Sequence, residues 1–174
     1  MNFKSLTITF VLVFLGGTFI NNNFKQNQVN SFLKNGLTYS GDGDHNAAIS
    51  EFNKAIEINP RNIYALLQRG LSKRKSGDDN GAISDFSKII EINPRSAQAF
   101  YQRALAKSKL KDLSGEISDY TNAIEINPAF SDAYLNRGIA NNEFGNLGDA
   151  CSDWRIASKL DFKYANQLLE KNCK

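Results

Sequence analysis

The chain has 174 residues, 41% of them hydrophobic, with 21 Lys and Arg against 18 Asp and Glu. Three of the cations, Lys4, Lys25 and Lys34, precede the first acid, Asp42, so the remainder carries 18 charges of each sign. A balanced body offers no basic face able to neutralise many phosphates, which excludes nucleic acid as the expected partner.

The first element is an uncharged, mostly apolar run from Leu6 to Ile20 (LTITFVLVFLGGTFI) behind the single charge of Lys4. As a helix it would reach roughly 22 Å, short of the ~30 Å hydrocarbon core, so residues 1–22 read as a signal peptide or an N-terminal membrane anchor. No A-x-A-like pair of small residues decides between cleavage and retention, and a buried helix of the main fold is the third reading. The first two predict a chain that is exported to a periplasm or lumen, or held at a membrane. A polar stretch, 23–28, reads as a linker.

From Val29 onward the sequence repeats. IEINP occurs at Ile56, Ile90 and Ile124, each copy 34 residues after the last, and closing each unit on its proline gives 29–62, 63–96, 97–130 and 131–164. Phe162 stands where the fourth proline would fall. The fourth place of each unit holds Phe32, Leu66, Phe100 or Tyr134, and the eighth Gly36, Gly70, Ala104 or Gly138. Later come Ala48, Ala82, Glu116 and Ala150 at place twenty, then Phe52, Phe86, Tyr120 and Trp154 at place twenty-four. Ala55, Ile89, Ala123 and Ala157 occupy place twenty-seven. Spacings of three and four predict helices, and breakers near the middle of each unit (Gly41 and Gly43, Gly77, Lys111-Asp112, Gly145) divide it into two. The small residues let the paired helices approach and seat the aromatic between them. Glu116, a carboxylate at one of these small places, predicts a looser third pair.

This pattern resembles the tetratricopeptide repeat family, whose 34-residue units are helix-turn-helix pairs. The resemblance covers about 29–164; it departs at place eleven, where Lys73, Lys107 and Asn141 replace an aromatic. It implies an all-α fold: a right-handed α-solenoid of four units whose first helices line a concave face, closed by a C-terminal capping helix in 165–174. The segment from Lys163 to Asn172, with apolar Tyr164, Leu168 and Leu169, suits that cap. Cys151 and Cys173 lie eleven residues either side of Phe162, so a reversal there sets both sulfurs at one level. A disulfide is compatible with export, and two small buried thiols are the alternative.

The resemblance also implies where a ligand would lie: places two, five, nine, twelve and thirteen. Here these are Leu33 and Leu37; Tyr64, Leu67, Leu71, Arg74 and Lys75; Gln98, Tyr101, Leu105 and Lys109; then Asp132, Leu135, Ile139, Asn142 and Glu143. The floor is apolar and the rim changes sign, positive at Arg74, Lys75 and Lys109, acidic at Asp132 and Glu143. A protein or peptide segment with apolar anchors and an acidic flank fits it, although Leu at places five and nine also suits plain helix packing. Relatives that grip the carboxylate tail of cytosolic chaperones carry Lys, Asn, Asn, Lys and Arg; the matching places hold Leu33, Leu37, Gln68, Gln98 and Gln102, so that clamp is not expected. Shifting the register by one unit gives Leu67, Leu71, Gln102, Asp132 and Asn136, no better.

No GxSxG, HExxH, CxxC or phosphate loop occurs, and GDGDH at 41–45 lacks the ligand ladder and closing Glu of a calcium loop. No enzyme, metal or cofactor is expected. The sequence predicts an interaction scaffold, with a structural or assembly subunit of a membrane-associated complex as the second reading.

Overall fold

The computed structural model describes residues 3–160 and 163–173, with side chains from Asn22 onward. Asp161 and Phe162, including the expected substitution for proline, lie outside the described residues, as do the side chains of the apolar run. Among the described residues there are helices and no strands: α1 (Phe3–Gly41), α2 (His45–Ile58), α3 (Ile63–Lys75), α4 (Asp79–Ile92), α5 (Ala97–Lys109), α6 (Leu113–Ile126), α7 (Ser131–Glu143), α8 (Leu147–Lys159) and α9 (Lys163–Asn172). The stretch 23–28, read as a linker, is helical and continuous with the first repeat helix. Among residues with described side chains, no helix is long and apolar enough to cross a membrane.

Each helix packs on the next, giving four antiparallel pairs followed by α9. First helices also touch one another, α1 against α3 and α3 against α5, while second helices make no comparable contact. First helices therefore line the inner face of an α-solenoid. Within each pair the small eighth place admits the aromatic of place twenty-four: a Cβ on Gly36, Gly70 or Gly138 would stand 2.5, 2.7 or 2.5 Å from Phe52, Phe86 or Trp154. Between pairs, an alanine three residues into each following first helix is buried: Ala65, Ala99 and Ala133, then Ala165 on α9.

Local chemistry sets the ends. Asp44, Asn62, Asp78, Ser96 and Asp112 each cap a helix by accepting from the backbone N–H three residues on. The turn inside a pair closes through a left-handed residue: Asp78 N–H donates to Lys73 C=O at 2.8 Å and Gly77 N–H to Arg74 C=O at 3.2 Å. Gly43, Gly77 and Gly145 supply that conformation, and Lys111 adopts it with φ 61°. The Asn of each IEINP does more than precede proline, because Asn59, Asn93 and Asn127 accept from the N–H two residues on and so shape the link to the next pair.

A second periodic contact, outside the places tabulated from the sequence, joins three helices at a time. Arg69 donates through Nε and Nη2 to Asp85 at 2.9 and 2.5 Å, and through Nη1 to Asn53 on the preceding second helix at 2.7 Å. Arg103 does the same with Asp119 and Ser87, and Arg137 with Asp153 and Thr121. The aspartates are buried. Lys73, Lys107 and Asn141, the departures at place eleven, are the second donors to those carboxylates at 3.1, 2.8 and 3.3 Å. The hydrogen bond that Asp153 makes is the main reason the Arg137 pKa is raised above its ordinary value.

The third pair is not loosened by Glu116. Arg103 meets Asp119 at 2.7 Å, the distance from Arg137 to Asp153 in the fourth pair, and Ala104 and Tyr120 are buried. Removing a buried carboxylate that accepts charge-assisted hydrogen bonds from half-buried cations costs about 1–3 kcal/mol. Asp119→Ala is therefore expected to lower the stability of the solenoid by that amount in chemical denaturation, against about 1 kcal/mol or less for Glu51→Ala, whose Lys54 partner is exposed.

Candidate binding groove

The inner face is built by α1, α3, α5 and α7, each presenting one side of its helix. On α3, Tyr64 is 47% exposed. Leu67 and Leu71 lie below it, half-buried because they rest on the core of their own pair. On α5, Gln98 is exposed and Tyr101 and Leu105 are half-buried against the Tyr120 core. Leu33 and Leu37 border a shallow depression of about 510 Å³ with Asn30, Lys34 and Thr38 at the start of the face. Helical spacing thus brings the expected floor residues onto one surface, and each serves the core as well as the groove.

Tyr101 is fixed more tightly than Tyr64. Its ring stacks at 4.7 Å on Phe130 and 5.8 Å on Tyr120, and its hydroxyl accepts from Asn136 Nδ2 at 3.1 Å. Burial, with a smaller push from the Asp132 charge, raises its pKa, so the phenol stays neutral. At the rim, Arg74 reaches across to Gln102, while Lys75 and Lys109 are exposed. Asp132 is half-buried; Asn142 and Glu143 are exposed on α7. One expected floor residue differs from the rest: Leu135 is buried in the cluster of Trp154 and Ala165, while Ile139, packed against that cluster, is half-buried like Leu67 and Leu105. The environment of Leu135 includes α9, which no pattern within α7 discloses.

Cys151 and Cys173 are bonded, with Cα atoms 5.8 Å apart, and tie α9 to α8. Among the described residues, no three His, Cys, Asp or Glu side chains stand together as a metal site. The Arg–Asp pairs have a sequence signal of their own, Arg at place seven and Asp at place twenty-three with a constant separation of 16. Their carboxylates are already engaged and present no free acid or base.

The inner surface thus combines aromatic, aliphatic and cationic side chains on the first helices of an α-solenoid. The chain belongs to the tetratricopeptide repeat family: one model of that repeat matches residues 30–62 and 97–130, and a second matches 64–96. Among solved structures it is similar to the crystal structure of MamA protein, at 24% identity over 79% of this chain and 76% of that one, with a TM-score of 0.75. It is also similar to MamA 41-end from Desulfovibrio magneticus RS-1, at 19% identity over 76% and 75% with a TM-score of 0.72. The first TPR of Spaghetti (RPAP3), bound to the HSP90 peptide SRMEEVD, is 19% identical over 68% of this chain and 94% of that one, with a TM-score of 0.66. No curated protein sequence matches.

One group beneath the rim titrates abnormally. Glu116 is 4% exposed and its Oε2 has no hydrogen-bond partner. Burial raises its pKa above 4.5; the Ser108 hydroxyl lowers it, and the charges of Glu143 and Asp112 raise it again. The folded chain then holds a proton that the unfolded chain has lost, so stability falls as pH rises from 4.5 through the raised value. Glu116→Gln is expected to flatten that fall and to be more stable than the natural chain at pH ~7, the difference vanishing below the ordinary Glu range, as denaturation across pH will report.

Proposed function

We propose that the protein is a non-catalytic scaffold that takes a peptide or protein segment along its inner face, in an exported or membrane-held setting. A tetratricopeptide solenoid is a protein-interaction scaffold in kind, and the choice of groove rests on one observation. Tyr64, a large aromatic on the open side of α3, stands nearly half exposed above the half-buried Leu67 and Leu71.

A segment laid there would bury apolar area at about 25 cal/mol per Å². Arg74, Lys75 and Lys109 would orient an acidic flank toward the ends of α3 and α5, with Gln98, Tyr101 and Leu105 continuing the contact. RPAP3 is described as holding a peptide ending in EEVD. Here Leu33, Leu37, Gln68, Gln98 and Gln102 fill the places of a carboxylate clamp, so a chaperone-type tail is not the proposed ligand. A structural or assembly subunit of a membrane-associated complex is the second reading, and the apolar run behind Lys4 favours it.

A photo-crosslinker at Tyr64 in cells is expected to capture a defined partner, and one at Lys88, exposed on the second helix α4, is not. Capture from Lys88 alone would overturn the groove. For the setting, the run from Leu6 to Ile20 and a disulfide that suits an oxidising compartment support export or anchoring. Membrane fractionation followed by intact mass is expected to find the chain in the membrane pellet with Met1 retained, or outside the cytoplasm with the leader removed. A full-length chain confined to the cytosolic fraction would refute both forms.

A further inference from the structure

Leu135 is the exception on the inner face. Its place is filled by Leu33, Leu67 and Tyr101 in the other first helices, all half-buried, whereas Leu135 is only 6% exposed. Its cluster joins Ala150, Cys151, Trp154 and Ala157 of α8 to Ala165 of α9, and Ile139, Leu168, Leu169 and Cys173 pack against that cluster. α9 docks on α8 as each first helix docks on the preceding second helix, with Ala165 buried like Ala65, Ala99 and Ala133.

What holds α9 down is different. The other first helices with fully described side chains bury three to five residues each and continue into a second helix. α9 has ten residues and buries one, Ala165. A helix that short is marginal alone. Its hydrogen bond to α8, from Ser158 Oγ to Asn166 Oδ1 at 2.6 Å, is exposed. The strong tie is the bond from Cys151 to Cys173, and Cys173 is half-exposed, within reach of a thiolate from solution.

We propose that the Cys151–Cys173 bond is a redox latch and α9 a cover on the fourth strip of the groove. With the bond closed, the apolar floor reaches Ile139 but lacks Leu135. Reduction by a dithiol breaks the S–S bond, delivers two electrons and two protons to form two protein thiols, and leaves the dithiol as its cyclic disulfide. α9 then leaves α8, and Leu135 joins the floor. The ligand would be the segment with apolar anchors proposed above, given one further anchor; that clause rests on the groove reading, and the latch does not.

Hydrogen exchange on the full chain, with and without dithiothreitol, tests the latch. Amides of 163–172 are expected to exchange about a hundredfold faster after reduction, while α3 to α6 are unchanged. Cys173→Ser is expected to behave the same way without reductant. Unaltered exchange in α9, or equal acceleration through the whole solenoid, would overturn the latch. A photo-crosslinker at Leu135 tests the cover, with capture of the Tyr64 partner expected only after reduction. If Tyr64 captures that partner and Leu135 stays silent in the reduced chain, the cover is wrong. If Tyr64 captures nothing in either state, the groove reading fails and hydrogen exchange still decides the latch.

Discussion

The solenoid depends on a buried carboxylate answered by two residues of the facing helix. Asp85, Asp119 and Asp153 each sit on a second helix, take both arms of an arginine from the first helix of the same pair, and leave that arginine one donor for the pair before. Alanines and aromatics bring helices together but have little directional preference; a guanidinium in its fixed fork does. The pitch of the stack is thereby tied to hydrogen-bond geometry. The cations at place eleven cease to be anomalies, since Lys73 and Lys107 give each buried carboxylate a second charged donor.

The same arrangement explains why the two faces differ. Charged residues that could have been reactive are spent between helices, and the inner face is left with tyrosines, leucines and a cationic rim. Tyr101 illustrates the division of labour: its ring belongs to the Phe130 and Tyr120 stack and its hydroxyl to Asn136, so it is a fixed wall. Tyr64, without such ties among the described contacts, is the more adaptable contact.

Much of this was legible in the sequence, for a physical reason. A 34-residue period fixes the phase of every helix, so the pairs, the turns at Gly43, Gly77 and Gly145, the aromatic over Gly36 or Gly70, and the helix-ending IEINP could all be read from spacing. Lys111 shows the limit of that reading, since a left-handed lysine is recognised only by its register with those glycines. Other properties depend on a neighbouring unit. Leu135 matches the groove pattern but is buried in a cluster shared with α8 and α9, and Glu116 was expected to push two helices apart. The carboxylate is instead accommodated between them, at the expense of an unpartnered oxygen. Whether an inner-face residue is open is decided by the next helix in line.

The first pair lacks the arginine. Asn35 donates to Glu51 at 3.3 Å where the later pairs have a guanidinium on an aspartate, and no preceding second helix is described for a third arm to reach. A stack held by nearest-neighbour contacts loses its weakest interface first. With the guanidinium fork missing at one end and a covalent bond at the other, heat or force meets an asymmetric stack: α1 and α2 part without breaking an arginine–aspartate pair, whereas α8 and α9 stay linked until the disulfide opens.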